Sequence, residues 1–177
     1  TCRGSHTHSV VSGPDENGMI VVYNSGTSVV REEEELAGCI GNIAGDQRTA
    51  LFRIDVIEIP IDSPGDARIV DSPGVFADSE TGVLAGLWRG GDHGGETQDT
   101  RATDQCHDIT VFPATGIAAG ACSGNGIVFD IADPRKPKRI DDVLDKGFAY
   151  WHSATFNNDG DKVIFTDEWG GGGRARC

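Results

Sequence analysis

The stretch QCHDITVF, residues 105–112, sets a histidine directly in front of an alternating run, and the residues after it decide the fold. PATG (113–116) and GIAAGA (116–121) come next, so two strand-like runs flank a Pro/Gly turn, the signature of a β-hairpin. NGIVFDIADPRKPKRIDDV (125–143) then reads as a strand, a proline-bounded turn with aspartate, and another strand. Pro134 and Pro137 stand where a strand should stop, not inside one. Four short strands in sequence are the result.

The same phrases recur on either side. HSVV (8–11) and MIVVY (19–23) flank SGPDENG, and HSATF (152–156) and KVIFT (162–166) flank NNDGD, whose Asp159–Gly160 suits a tight turn. From histidine to turn glycine the distances are 10, 9 and 8 residues (His8 to Gly18, His107 to Gly116, His152 to Gly160). FRIDVIEIPIDSPGDARIV (52–70) repeats the second phrase, with Pro60 and Pro64 as its stops; Ile59 to Ile69 spans 10 residues and Ile131 to Ile140 spans 9. His107 and His152 lie 45 residues apart, the period of a four-stranded propeller blade.

The predicted fold class is therefore all-β: a β-propeller segment of about two and a half four-stranded antiparallel blades with long insertions. Blade 1 covers about 5–72 with an insertion at 24–50, a long loop runs over 73–105, blade 2 covers about 106–144, and a half blade covers 150–169. Both insertions are rich in glycine and charge, which predicts long surface loops. VVREEEELAG (29–38) carries four glutamates and no packed-helix periodicity, so it is expected to be a solvated insertion with one helical turn. Both ends stop in mid-pattern and Met is absent from position 1, so the chain is expected to be part of a longer protein.

Composition narrows the partners. Glycine, 25 of 177 residues, is about twice its usual share, as many tight turns require. A net charge of −13 repels nucleic acid and anionic lipid, and no apolar stretch is long enough for a membrane-spanning helix. Cysteines at 2, 39, 106, 122 and 177 show no CxxC spacing, which favours structural bridges in an oxidising compartment over a redox or zinc motif. Pairing Phe112 with Ile117 puts residue 107 opposite 122, one step from a Cys106–Cys122 bridge; Cys2 and Cys39 hold the analogous places in the first unit, and Cys177 is left over.

GIVFDIADPRKPKRI (126–140), followed by FAYWHSATFNNDGDKVIFTDEWGGG (148–172), resembles the LVIVD-repeat proteins, a bacterial family of secreted β-propellers whose repeat is an apolar strand ending in aspartate, a DPxxP turn and a second apolar strand. The match is best over 106–173, with support from 52–70 and from TCRGSHTHSVV at the start; in the first unit IPIDSPGD replaces DPxxP. The resemblance implies a propeller, export to the periplasm or beyond the cell, and no catalytic residues that could be carried over.

On a propeller the first strand of each blade lines the channel, so His8, His107 and His152 could converge on a transition metal, with Asp108 or His6 as a further ligand. The competing account, which we favour, is that each imidazole bonds a neighbouring unit. The oxygen-rich turns PDENG (14–18) and NNDGD (157–161) could hold Ca2+, although turn chemistry explains both and neither completes an EF-hand. His107–Asp108 with Ser153 or Ser9 makes a poor hydrolase, because adjacent strand residues face opposite ways and no GxSxG is present. Trp151 is expected between blades, and Trp88 and Trp169, in glycine-rich loops, as contact residues. The favoured function is an exported non-catalytic scaffold that meets protein or glycan surfaces through its two acidic loops, and meets the missing blades or another copy through exposed sheet edges. The alternative is a metal-binding protein or metal-dependent enzyme using the histidines.

Overall fold

Gly18, Gly116 and Gly160 stand at φ near +70°, a conformation that glycine alone adopts without strain, and each closes one of the three hairpins. In the computed structural model, which describes residues 1–5, 7–41, 46–84, 86–92, 99–145 and 150–168, the turns are held by their own polar groups. Asp15 Oδ1 accepts the amides of Asn17 and Met19 at 2.9 and 3.0 Å, and Asn157 Oδ1 accepts those of Asp161 and Lys162 at 3.1 and 3.0 Å. Their oxygens perform the turn chemistry expected of short polar side chains.

The first sheet contains β1 (His8–Ser12), β2 (Met19–Asn24), β3 (Asp55–Pro60) and β4 (Arg68–Asp71), paired in chain order. A two-residue ribbon, β5 (Gly91–Asp92) with β6 (Asp99–Thr100), interrupts the long loop. The second sheet repeats the first with β7 (Asp108–Phe112), β8 (Ile117–Cys122), β9 (Asn125–Asp130) and β10 (Lys138–Val143). β11 (Trp151–Phe156) and β12 (Val163–Asp167) form a third, two-stranded sheet. All pairings are antiparallel, no sheet closes on itself, and no α-helix occurs among the described residues. The Glu-rich insertion supplies the single expected turn, Leu36 N donating to Glu32 O at 3.1 Å.

The two four-stranded sheets share one strand order and one tie. Ile61 N donates to Gly18 O at 2.9 Å and Ile131 N donates to Gly116 O at 2.8 Å, so the third strand of each sheet is tied to its hairpin glycine in the same way. Phe112 pairs with Ile117, the register expected from the turn.

Packing is set by alternation along β8, IAAGAC. Ala118 and Cys122 face one way, into a core shared with Val11, Val21, Tyr23 and Val56 of the first sheet and Ile127 and Phe129 of β9. Ala119 and Ala121 face the other way, onto Ala154, Trp151, Phe156 and Phe165 of the third sheet. The second sheet is thus covered on both faces. Where the sheets meet, their first strands lie side by side: Thr7 Oγ1 donates to His107 O, Ser9 Oγ to Ile109 O, and Thr110 Oγ1 to Ala154 O at 2.7 Å. The fourth strands, β4 and β10, are largely exposed.

The insertions are largely surface segments, but they carry buried anchors. Thr49 is fully buried, as are Phe76 and Thr103, and Val75, Phe76 and Leu84 belong to the core shared by the two large sheets. Arg139 Nη1 reaches from β10 to Val75 O at 3.0 Å, pinning the second insertion to the sheet. Glycine and charge in the loops conceal these few apolar anchors, which cover the first sheet where strands alone leave it open.

The face assignment of β8 and the turn chemistry can each be tested. Ala121→Leu, which adds three carbons where β8 meets Ala154, is expected to lower stability to urea by about 1–3 kcal/mol, whereas Ile164→Thr, on the exposed side of β12, should stay within about 0.5 kcal/mol; equal losses would contradict the face assignment. Hydrogen bonds from the Arg48 side chain and amide hold the Asp46 carboxyl at about 2, against an ordinary 3.8. A carboxylate depressed on folding adds stability above its unfolded value that is lost as pH falls through its folded one. The thermal midpoint should therefore fall between pH 4 and 2, and less steeply in Asp46→Asn.

Candidate functional site

The histidines do not occupy three equivalent places. His8 opens β1 opposite Asn24, six residues beyond Gly18. His107 precedes β7, its amide donating to Ala121 O at 2.8 Å; extending the β7–β8 register by one step sets it opposite Cys122, likewise six residues beyond Gly116. These two match. His152 sits inside β11 at an irregular step, passed over between the Trp151–Asp167 and Ser153–Thr166 pairs. A bulge re-aims its side chain.

The bulge brings His152 onto His107. Their ring centroids are 4.0 Å apart at 31°, and His107 Nδ1 lies 3.1 Å from His152 O. Tyr150 stands edge-on to His107 at 6.3 Å, and Glu168 Oε2 lies 3.1 Å from His152 Nε2. His8 is exposed at the start of β1 and does not complete this group: among the described residues no cluster of three or more His, Cys, Asp or Glu side chains could hold a metal. Of the three histidines, His107 meets a neighbouring sheet, through the carbonyl of His152. Tyr150 and Glu168 complete the cluster. Sequence reasoning missed both, since only the bulge and the β11–β12 register bring them in.

The groups considered for hydrolysis are engaged elsewhere. Ser9 Oγ is bonded to Ile109 O and Ser153 Oγ to Thr166 Oγ1 at 2.7 Å. Asp108 Oδ2 accepts from Thr110 at 3.4 Å.

Beside the imidazoles, the segment 99–105 separates two cavities. The smaller, about 250 Å³, is lined by Tyr150, Ser123, Thr100, Arg101, Asp104 and Gln105. The larger, about 620 Å³, is built by both insertions: Ser28, Val29 and Val30 from the first, and Arg101 and Asp104 from the second, with Phe52 and Arg3 beneath. Arg3 is the keystone. Its Nε donates to Ser28 O at 2.7 Å and its Nη1 to Asp104 O at 3.0 Å, with the Asp104 carboxylate 3.7 Å from Nη2. Burial lowers the Arg3 pKa, an effect the Asp104 charge opposes.

The expected bridges are both formed, Cys2–Cys39 and Cys106–Cys122, and they point to an oxidising, extracytoplasmic compartment. No helix among the described residues is long and apolar enough to cross a membrane. Trp151 packs between sheets as expected, against the cluster of Ala119 and Ala121 on β8, with its ring T-shaped to Phe165 of its own sheet at 5.2 Å. Trp88 differs from expectation. It lies on Gly124, where a Cβ would come within 2.7 Å of the indole; its Nε1 donates to Thr100 Oγ1 and its amide to Asn125 Oδ1, both at 2.9 Å. Half-buried, it anchors the second insertion to the β8–β9 turn. Trp169, Cys177 and His6 lie outside the described residues.

No family model, curated protein or solved structure matches the chain.

Among the described residues no group of three or more His, Cys, Asp or Glu side chains could hold a metal, so purified protein is expected to carry no stoichiometric copper, zinc or iron. Stoichiometric metal that disappears on changing both histidines to alanine would establish the metal site instead.

Proposed function

We propose that this chain is a segment of a β-propeller, exported from the cell, that serves as a non-catalytic interaction scaffold. The observation that carries this is the contact between first strands. The hydroxyls of Thr7 and Ser9 reach β7 and that of Thr110 reaches β11, while β4 and β10 lie exposed on the far side of their sheets. Sheets adjacent at their first strands and stacked face to face are what neighbouring blades would present. The resemblance of DPRKP and the imidazole-led strands to LVIVD repeats agrees with this, and the paired cysteines agree with export.

The contact surface on this account is the 620 Å³ cleft between the insertions. It combines Val29, 83 % exposed, with Val30, Phe52 and Arg101, a mixture of apolar wall and cation that suits a protein or glycan surface. Among the described residues β12 is strand-paired with β11 alone, so its outer edge is where a further strand of the parent chain, or a second copy, would pair.

Extending the sequence in both directions is the direct test. Further imidazole-led and DPxxP phrases at about 45-residue spacing, with ring-shaped particles in electron micrographs of the longer protein, are expected; flanks without repeats, or a particle with no central channel, would overturn the propeller. Velocity sedimentation of the present chain tests the edge, with dimers that Thr166→Pro abolishes as the sign of strand pairing through β12.

A further inference from the structure

Beneath the Cys2–Cys39 bridge is a third cavity, of about 190 Å³, between the first sheet and the first insertion. Asn24 at the end of β2 and Arg53 just before β3 both line it. Asn24 Nδ2 and Arg53 Nε are buried atoms with no hydrogen-bond partner. An amide or guanidinium N–H removed from water without an acceptor costs free energy that native structures rarely leave uncompensated.

Among the described residues no neighbouring carboxylate is hydrogen-bonded to either atom. Arg48, also on the wall, is held by Asp46 at 2.6 Å. The Asp55 carboxylate accepts the Ser72 hydroxyl at 2.8 Å, and the Arg3 guanidinium is directed to Ser28 and Asp104. Among the described residues Arg53 Nε has no hydrogen-bond partner, and the guanidinium charge acts on the Asp46 carboxylate.

We propose that this cavity is an anion site, in which Arg53 and Asn24 bind a small oxyanion of phosphate, sulfate or carboxylate type. The guanidinium supplies the charge and a fork of donors that matches two oxygens, and the Asn24 amide, on the strand paired with β3, supplies a third donor. The chain's net charge of −13 excludes extended polyanions, yet a single small ion responds to the charge within about one Debye length, about 8 Å at physiological salt. The site is independent of the propeller assignment, and its failure would leave that assignment untouched.

The test uses the full oxidised chain, titrated separately with sodium phosphate, sodium sulfate and sodium acetate against sodium chloride at matched ionic strength, read by calorimetry and by the thermal midpoint. At least one oxyanion is expected to bind saturably at one per chain, and the three arms rank tetrahedral against planar ligands. Arg53→Gln should weaken that binding about tenfold or more, as loss of a charge-assisted hydrogen bond requires, and Asn24→Ala should weaken it less. Arg89→Gln, at an exposed arginine beside Asp78, should leave it unchanged. Should Arg53→Gln fail to fold, Arg53→Lys, which keeps the charge and loses the fork, gives the same comparison. No saturable response beyond chloride, or equal affinity in the Arg53 variants, would overturn the site.

Discussion

A strand covered on both faces governs this molecule. β8 carries only Ile, Ala, Gly and Cys because the first sheet presses on one side and β11–β12 on the other. Its axis passes through Gly120, where a Cβ would come within 2.8 Å of Cys122 Sγ and 3.0 Å of Cys106 Sγ. The disulfide thus lies against the strand where a side chain would otherwise stand. Gly126 on β9 plays the same part for the other face, beneath Phe165 and Val143. Small residues let the sheets approach, and that approach brings the hydroxyls of Thr7, Ser9 and Thr110 within reach of carbonyls on the neighbouring first strand. Bulk is supplied from outside, by Phe129, Tyr23 and Phe76 on one face and Trp151 and Phe165 on the other.

Away from the first strands, the two large sheets are tied by charge. Glu58 on β3 is 6 % exposed and is held by Arg68 of its own sheet, at 2.7 Å, and by Arg135 from the DPRKP turn of the other. Arg135 also reaches Asp15 in the first hairpin at 2.7 Å, and the Tyr23 hydroxyl donates to Pro134 O at 2.8 Å. A buried carboxylate with two guanidiniums is satisfied only when both sheets are in place. The DPRKP turn therefore has a second task besides ending β9: it presents Arg135 and the Pro134 carbonyl to the neighbouring unit. IPIDSPGD in the first unit has no arginine at that point, and its 3-10 turn, Pro64–Asp66, is wholly exposed.

Local features were the ones legible in the sequence. Gly18, Gly116 and Gly160, with the aspartates and asparagines before them, specify hairpins within a few residues, and the alternation around them fixes strand register. The Cys106–Cys122 bridge is a consequence of that register. Features that depend on distance along the chain were not legible. Phe76 and Leu84 sit in a segment whose glycines and charges read as solvent-facing, and only the unfilled face of the first sheet gives them a place. Trp88 looks free in the sequence because Gly124, the residue that seats it, is 36 positions away. The match of His152 with His107 holds by residue count but fails by pairing: β11 has one residue more than its register uses, and the bulge turns an expected equivalence into a stacking contact.

The bridges and anchors have a common consequence for the cleft. Cys2–Cys39 joins residues 37 apart across the first insertion and Cys106–Cys122 joins residues 16 apart across the second hairpin. In the chain-entropy model loops of those sizes correspond to about 4 and about 3 kcal/mol of stabilisation. Arg3, one residue from the first bridge, and Cys106, whose amide donates to Ser25 Oγ at 2.8 Å, then tie the two insertions to each other across the intervening chain. Long loops ordered in this way lose their conformational freedom on folding, so a partner meeting Val29, Val30 and Arg101 would not have to order them again, and the entropic cost of association is correspondingly smaller. Among the described residues of the insertions, a few buried anchors such as Thr49, Phe76 and Thr103 thus fix segments whose composition alone suggests solvent-facing loops.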